Sequence, residues 1–399
     1  MLPRALLILW LAAGLAAGCA GVPVFPGANR AWQHGQPAPL PPTHPGQVLV
    51  WLSLSGGGTR AAALAYGVME ALEEIAVSGE DGKPSNLLRE VDYISSVSGG
   101  SFAAAFYALN RDGDWKREFK KRMLDENLEA AIGARLIEPP NFLSVVATNY
   151  SRTNVAAEYY DSHIFDGKRF RHLPQRPVLV LNASDLVTGR RFEFTQRDFN
   201  CLGSDLLDYR IADAVPASSA FPGAFPSLIL ENHGPHNECP NAPAPRRSAG
   251  ACLTAQERQA APFVSLQRGG ERDSLRNGIY LEAERKRLYC DVKATRHVHL
   301  SDGGLTDNLG VDAFLSRAYD PSSEIHAALT GDRGQRNKLK AVVVIAVNAA
   351  TAPAEDLGEK PEGAWFGRII LRGINLMMDR VAWESLDAVR DRVVEFERY

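Results

Sequence analysis

Two stretches of the sequence join an apolar, strand-like run to a glycine-rich turn and then to a helical pattern. The first is QVLVWLSL followed by SGGGTR, from residue 47, and the second is VDYISSVS followed by GGSFAAAFYAL, from residue 91. Strands that are apolar on both faces are typical of parallel sheets covered by helices. Two later runs, PVLVLNASD and AVVVIAVNA, are of the same kind. The alternation predicts an α/β fold with one mainly parallel central sheet between two layers of helices.

Length and composition narrow the class of protein. The 399 residues are 45% hydrophobic and 23% charged, which is ordinary for a globular chain of one or two domains. The net charge of -3 and the lack of a basic cluster in the sequence argue against a nucleic-acid-binding protein.

The first residues have the pattern of an export signal. Arg4 precedes the apolar run ALLILWLAAGLAAG, which is shorter than the about 20 apolar residues of a transmembrane helix. The run leads into LAAGC, which resembles the bacterial lipobox, with Ala16 where leucine is usual. We therefore expect a signal peptide over residues 1–18, lipidation of Cys19 and a proline-rich tether over residues 19–46. The alternative is an ordinary signal peptide cut nearby, with Cys19 incidental.

Lipidation would anchor the protein in a membrane of the bacterial cell envelope, at the outer membrane or facing the periplasm. The folded domain is expected over residues 47–350, with an insertion at about residues 231–290 that is rich in Asn, Pro, Gly, Arg and His. In an exported protein, Cys239 and Cys252 are the best candidates for a disulfide, because they flank a proline-rich segment. The nearby histidines do not complete a standard zinc-ligand spacing, so no metal site is predicted.

Residues 351–399 are predicted to form a helical C-terminal segment. Phe366, Ile370, Met377 and Val381 fall near one face of such a helix. We expect this face to pack on the core. A helix that leans on a membrane is the alternative, which the arginines of the segment do not establish by themselves.

A glycine-rich turn follows the first strand, at the edge of the sheet where α/β proteins bind ligands. Gly56, Gly57 and Gly58 can present successive backbone N–H groups to an oxyanion or a phosphate. The glycine spacing does not match a dinucleotide-binding fingerprint, and the Gly-Lys-Ser/Thr of a phosphate-binding loop is absent. A nucleotide site is therefore disfavoured.

A serine stands on the turn after the second strand. The segment Ser96-Val97-Ser98-Gly99-Gly100 matches the G-x-S-x-G nucleophile elbow, except that Ser96 replaces the first glycine. Small neighbours permit the sharp turn that exposes the serine hydroxyl, and the following helix points its positive end at the site. The same residues are also compatible with a plain turn in which Ser98 caps the helix.

A third segment, HLSDGGLTDNLGV, follows a later strand and carries Asp302. Its carboxylate is a candidate to take the Ser98 proton directly, although Asp-Gly is also an ordinary turn sequence. Asp307 and Asp312 are further candidates that lie later in the chain, beyond the turn. A triad in the order serine, acid, histidine would leave only His326 as the base, in a segment with no obvious reach. A Ser–Asp pair is therefore favoured.

In this order, the three segments resemble the patatin-like phospholipase family. The matching motifs are the glycine loop with Arg60, the serine elbow, and the Asp-Gly-Gly segment of Asp302, Gly303 and Gly304. NASDLVTGRRFEF is similar to the family's Asp-x-x-Thr-Gly turn, and AVPASSAFPGAFPS is similar to its Ala-Ser-Ser-Ala-x-Pro block. The resemblance covers residues 48–348, apart from the insertion.

The resemblance implies a three-layer α/β/α fold and a Ser98–Asp302 dyad that hydrolyses lipid acyl esters, as a phospholipase A or a lysophospholipase does. Backbone N–H groups of the three glycines would hold the oxyanion, and Arg60 would brace their loop. No metal or cofactor is implied, and the partners are a lipid or phospholipid substrate and a membrane. Ser96 and Ala61, which depart from the family pattern, remove no reacting group.

Two other functions stay open. One is a non-catalytic envelope lipoprotein that uses the fold as a binding module, which the altered elbow and the insertion suggest. The other is an acyltransferase that uses the same dyad and an alcohol other than water.

Overall fold

The computed structural model describes most of the predicted folded domain and the C-terminal segment. The described residues are 29–32, 48–79, 81–147, 150–234, 286–320, 323, 325, 326, 329, 340–350 and 366–397. The predicted signal peptide, Cys19, most of the tether and of the insertion, and the predicted pair of Cys239 and Cys252 lie outside these residues.

A seven-stranded sheet forms the centre of the molecule. The strands are β1 (Val48–Leu54), β2 (Ala76–Ser78), β3 (Pro84–Asn86), β4 (Tyr93–Val97), β5 (Val178–Asp185), β6 (Arg190–Glu193), β7 (Leu228–Glu231), β8 (His297–Asp302) and β9 (Ala341–Val347). The order across the sheet is β7-β8-β5-β4-β1-β9, with β6 paired to β5, and β2 and β3 form a separate antiparallel pair.

Helices connect these strands and cover the sheet. They are α1 (Gly58–Glu74), α2 (Gly99–Asn110), α3 (Trp115–Phe119), α4 (Leu128–Leu136), α5 (Pro139–Ala147), α6 (Arg152–His163), α7 (Gln196–Cys201), α8 (Ile211–Ser218), α9 (Gly304–Asp307), α10 (Asp312–Tyr319) and α11 (Phe366–Glu397). A π-helical turn at Lys120–Leu124 follows α3 directly, before α4 begins at Leu128.

The alternation along β1 shows how the layers form. Leu52 and Leu54 face a large apolar core that includes residues of α1 and α2. Leu49 and Trp51 face the opposite side, where they join a second core with Phe314 of α10. Because both faces of the central strand are buried, the sheet lies between two helical layers. The predicted three-layer α/β/α fold is confirmed.

The strand that carries Asp302 does not share the direction of its neighbours. Pairing is parallel between β9, β1, β4 and β5, whereas β8 pairs antiparallel with β5 and sets Asp302 opposite Ala183. On the other side of β5, Val97 pairs with Asn182. The sheet is thus mainly parallel, as predicted, with β8 as an antiparallel member. Ser98 follows Val97 directly. The register of β4 and of β8 on β5 therefore brings Asp302 close to Ser98, although β8 runs in the opposite direction.

The C-terminal segment forms α11, but it packs through a different face from the one predicted. Ile370 and Met377 are 45% and 66% exposed, whereas Met378, Ala382 and Ser385 are buried. Apolar residues occur all around the first half of this helix, so their spacing does not single out one contact face. The small side chains of Ala382 and Ser385 permit α11 to lie close to the residues it covers.

Two findings bear on export and the membrane. Cys201 and Cys290 are each disulfide-bonded, as an exported protein allows, while the pairing of Cys239 with Cys252 stays a prediction. Among the described helices, none combines the length and the apolar character needed to cross a bilayer.

Candidate active site

The turn after β1 holds unused backbone donors at the edge of the sheet. Gly57 and Gly58 have φ angles of 137° and 62°, which glycine adopts without steric cost. Within the described residues, neither of their N–H groups makes a hydrogen bond. Gly58 also begins α1, a helix of 17 residues whose N-terminus favours negative charge. This turn is therefore suited to an oxyanion.

Gly56 departs from the prediction for this turn. Its N–H donates to the carbonyl oxygen of Asn308 at 2.9 Å, so it is not free to bind an oxyanion. A side chain at Gly56 would collide with Asn308, since an added Cβ would lie 2.5 Å from Asn308 Oδ1. The first glycine thus joins the turn to the segment after Asp302, and the other two carry the free donors.

Arg60 stabilises the same turn from the helix side. Its Nε and Nη2 donate to the carbonyl oxygen of Ala349 at 3.1 and 2.8 Å. Ala349 follows β9, which pairs with β1 along the whole length of that strand. These contacts agree with the bracing role that the sequence predicts for Arg60.

The turn after β4 places Ser98 in a strained conformation. Its φ of 49° and ψ of -122° lie in a sparsely populated region, which costs a non-glycine residue about 1–3 kcal/mol. The Ser98 side chain makes no capping hydrogen bond to α2. The interpretation of Ser98 as a plain helix cap therefore does not describe this turn. Ser96, in contrast, lies in the strand itself and outside the left-handed region, so its position does not require glycine.

The two turns pack directly against each other. A Cβ added to Gly99 would lie 1.9 Å from the carbonyl oxygen of Gly58, and one added to Gly100 would lie 2.7 Å from that of Ser55. Backbone atoms cannot move aside as a flexible side chain can. Glycine at both positions thus allows the nucleophile candidate to approach the free N–H groups of the neighbouring turn.

The carboxylate of Asp302 accepts a hydrogen bond from the hydroxyl of Ser98. Ser98 Oγ donates to Asp302 Oδ2 at 2.9 Å, and the N–H of Gly304 donates to Asp302 Oδ1 at 2.8 Å. Burial raises the pKa of Asp302 to about 6, although both hydrogen bonds lower it. The carboxyl is therefore mostly ionised at neutral pH and more basic than an exposed aspartate.

The other candidate bases lie in different surroundings. Asp307 accepts hydrogen bonds from the backbone N–H groups of Gly310 and Asp312, and it lies 3.6 Å from Arg191. His326 contacts the carbonyl oxygen of Ala318. In the part of the chain that the structure describes, the cavity at Ser98 is lined by neither Asp307 nor Asp312 and by no histidine.

A cavity of about 420 Å³ opens at Ser98 and Asp302. The glycine turn is part of its lining, and most of the lining surface is apolar. The apolar side chains that line it include Phe102, Met123, Leu128, Ile132, Phe225 and Met378. A mainly apolar cavity that also contains a nucleophile and free backbone donors suits an acyl chain with a reacting carbonyl.

Three residues near the site were not assigned a role from the sequence. Ser218 Oγ accepts the N–H of Ser98 at 2.9 Å. Asn308 accepts the N–H of Gly56 through its carbonyl, and its buried Oδ1 has no hydrogen-bond partner among the described residues. Asn182 Nδ2 donates to Ser95 Oγ and to the carbonyl of Ser96. Ser218 lies in the stretch AVPASSAFPGAFPS, which was the only signal for it.

Potential metal ligands do not gather in the described parts of the molecule. No group of three or more His, Cys, Asp or Glu side chains there is arranged to hold an ion. His233, which lies near the cysteines of the insertion in sequence, directs its Nε2 to the carbonyl of Asn29 at 3.2 Å.

A family model, rather than a solved structure, identifies the family of this chain. The chain is similar to a solved structure of human GIVD cytosolic phospholipase A2, at 13% identity and a TM-score of 0.31, over 79% of this chain and 50% of that one. It thus spans half the length of that protein. No curated protein matches the sequence. The model of the family described as Patatin-like phospholipase matches residues 52–315, which is more than half of the 399 residues and includes the glycine turn, the serine elbow and Asp302. The chain therefore belongs to the patatin-like phospholipase family.

Proposed function

We propose that this protein is a serine acyl hydrolase that cleaves acyl esters of lipids through Ser98 and Asp302. The hydrogen bond of 2.9 Å between Ser98 Oγ and Asp302 Oδ2 carries the proposal, because it joins a nucleophile to a base without an intervening histidine. Family membership supports a lipid as the substrate. The apolar walls of the cavity also support an acyl chain.

In the first half-reaction, Ser98 Oγ attacks the acyl carbonyl carbon while Asp302 Oδ2 accepts the hydroxyl proton. The carbonyl oxygen becomes an oxyanion, which the N–H groups of Gly57 and Gly58 stabilise. Gly99 lines the cavity next to the nucleophile, and its N–H is a third donor. One such donor contributes about 2.7–4 kcal/mol in comparable sites. The ester C–O bond then breaks, and Asp302 returns the proton to the leaving alcohol.

In the second half-reaction, water attacks the acyl group on Ser98 and Asp302 takes one of its protons. The bond between Ser98 and the acyl group breaks, the fatty acid leaves, and Ser98 recovers its proton. A base with a pKa of about 6 suits both directions of transfer. It is ionised when it must accept a proton, yet it holds the proton long enough to pass it on near neutral pH.

The direct test removes each reacting group. Ser98→Ala and Asp302→Asn should each lower hydrolysis of a fluorescent phospholipid and of a p-nitrophenyl ester by on the order of 10⁴-fold, as losses of a nucleophile or base do elsewhere. Ser162→Ala is a control, because its hydroxyl bonds within α6 in the described part of the chain and Ser162 does not line the cavity. Full activity in Ser98→Ala would refute the dyad.

Two further measurements separate the alternatives. A fluorophosphonate probe should label the folded wild-type protein and not Ser98→Ala, whereas a binding module would remain unlabelled. Product analysis with added lyso-lipid should give free fatty acid as the main product. A transferred acyl chain on the lyso-lipid would instead identify an acyltransferase.

We also propose that the protein is a lipoprotein of the bacterial envelope, anchored through Cys19. The sequence LAAGC and the proline-rich segment after it support this proposal. Cys19→Ser should abolish incorporation of labelled palmitate and move the protein out of the membrane fraction. Retention of both in the variant would contradict lipidation at Cys19.

A further inference from the structure

Ser218 makes one hydrogen bond to the nucleophile and one to the residue that follows the base. Through its side chain, it accepts the N–H of Ser98 at 2.9 Å. Through its main chain, its carbonyl oxygen accepts the N–H of Gly303 at 3.0 Å, and Gly303 directly follows Asp302. Ser218 is fully buried and does not line the cavity. The N–H of the nucleophile and the N–H of the residue after the base are therefore both bonded to Ser218, one at its side chain and the other at its main chain.

The direction of the hydrogen bonds at Ser218 follows from counting protons. Its hydroxyl donates to the carbonyl oxygen of Asn182 at 2.6 Å, which uses its only proton. In the 3.0 Å hydrogen bond between Ser101 Oγ and Ser218 Oγ, Ser101 must therefore be the donor. Ser101 Oγ in turn accepts a hydrogen bond from Ser96 Oγ at 3.2 Å. The Ser218 oxygen is thus oriented with its lone pairs toward Ser98 and Ser101.

A strained nucleophile needs such a partner. The φ of 49° at Ser98 persists only where surrounding contacts outweigh its cost. The hydrogen bond from its N–H to Ser218 is one of those contacts, and it lies in a buried region where an unpaired N–H is costly. Asn182, the acceptor for Ser218, belongs to β5, the strand that lies between Ser98 and Asp302 in the sheet.

We propose that Ser218 is a positioning residue that sets the separation between Ser98 Oγ and the Asp302 carboxylate. Its hydroxyl holds the peptide of the nucleophile, and its carbonyl holds the turn of the base. Because Ser218 acts through these two residues, its role rests on the proposed function. Ser218 does not contact the substrate.

The main test is Ser218→Ala, with Ser101→Ala as the matched control. Both changes remove a fully buried hydroxyl from the same chain of serines, but only the first removes the partner of the Ser98 N–H. Ser218→Ala should lower kcat by about 10- to 100-fold with little change in KM. Ser101→Ala should keep kcat within about twofold of wild type.

A pH profile provides a readout that lost stability alone would not move. Burial, the Gly304 N–H and the Ser98 hydroxyl act on the Asp302 carboxyl, and the hydroxyl lowers its pKa. If Ser98 drifts from Asp302 in Ser218→Ala, the midpoint of the acid limb of kcat/KM should move to higher pH. The midpoint should stay in place in Ser101→Ala.

Ser218→Thr keeps the hydroxyl and adds a methyl group, so it tests the proposal if Ser218→Ala does not fold. Per folded molecule, it should react closer to the wild-type rate than Ser218→Ala does, even if its melting temperature falls. Equal losses in Ser218→Ala and Ser101→Ala, or no loss in Ser218→Ala, would overturn the positioning role.

The rate of fluorophosphonate labelling at Ser98 separates this role from the proposed function. If the wild-type protein hydrolyses no ester but labels at Ser98, the hydrolase proposal fails while the labelling rates of the variants still decide the role of Ser218. If the esters are hydrolysed and Ser218→Ala labels as fast as wild type, only the positioning role fails.

Discussion

The turn after β1 and the turn after β4 lie side by side, and each leads a parallel strand into the N-terminus of a helix. Both contain residues with positive φ, at Gly57 and Gly58 in the first turn and at Ser98 in the second. The first leaves two N–H groups unbonded within the described residues, whereas in the second the N–H of Ser98 is bonded to Ser218. The first turn thus keeps both donors for a ligand, whereas the second uses the Ser98 N–H to hold its own shape and keeps only the Gly99 N–H for the oxyanion.

The difference is reflected in the residue types. A turn that offers its N–H groups needs no side chain, so glycine provides the conformation at no steric cost. A turn that offers a hydroxyl must carry a side chain in a strained conformation, and it needs contacts from other strands and helices to keep it there. Substitutions in one turn at a time can test whether the two are separable in this way.

Among substitutions that keep both Ser98 and Asp302, the largest effect is expected from Gly57→Ala. A φ of 137° is strained for alanine, so the peptide must rotate and its N–H leaves the oxyanion. The kcat value should fall by about 10²- to 10³-fold, as for the loss of one oxyanion donor, while the pH midpoint set by Asp302 stays unchanged. A shift of that midpoint would show that the two turns are not separable.

Gly189→Ala serves as the control for Gly57→Ala. Gly189 also has a positive φ, of 66°, but it has open space around it and does not line the cavity. Its substitution should cost about 1–2 kcal/mol of stability from backbone strain and leave kcat near wild type.

The next effect is expected from Gly99→Ala, which drives the two turns apart. The new methyl group would lie 1.9 Å from the carbonyl oxygen of Gly58, so the backbone must shift. A displacement of about 1 Å can cost roughly 100-fold in rate, and we expect a loss of that size in kcat/KM. Gly67→Ala in α1, where a Cβ meets nothing within 4 Å, should keep full activity. Wild-type activity in Gly99→Ala would contradict the close packing.

The pH dependence of activity tests the Ser98–Asp302 pair without involving the glycine turn. Asp302 must be ionised to accept the Ser98 proton, and its pKa is raised to about 6 by burial. Activity should therefore be complete above that pH and fall by about tenfold per unit as the pH drops below it. The check is kcat/KM for a p-nitrophenyl ester between about pH 4 and 8. A midpoint near about 4, the value of an exposed aspartate, would contradict a buried base.

The smallest effect is expected from Ser96→Gly, which restores the family residue at the start of the elbow. Ser96 lies in β4, and its hydroxyl donates to Ser101 rather than to Ser98. We expect kcat within about twofold of wild type and a loss of about 0.5–1 kcal/mol of stability, since glycine weakens a strand. A tenfold gain in kcat would instead show that Ser96 strains the nucleophile.

The sequence contained most of what is local at this site. Ser98 and the glycines around it follow from the steric needs of a sharp turn, which leave a readable pattern. The hydrogen bond from Gly56 to Asn308 could not be predicted, because it depends on a segment far away in the chain. The antiparallel direction of β8 and the hydrogen bonds of Ser218 depend on strand register and on the end of α8, which no short motif encodes. The prediction of the contact face of α11 was wrong for a related reason, because apolar residues occur all around the first half of this helix.

One feature of the fold limits where this family unit can be divided. The family match ends at residue 315, yet β9 supplies a full-length partner for β1, and Ala349 after it accepts both donors of Arg60. Met378 of α11 lines the cavity that contains Ser98. A chain cut after residue 315 would keep Ser98 and Asp302. It would lose β9, the acceptor of the Arg60 hydrogen bonds and part of the cavity lining. Motif boundaries and the boundaries of an autonomous folding unit are therefore different things in this protein, and domain swaps should retain everything through α11.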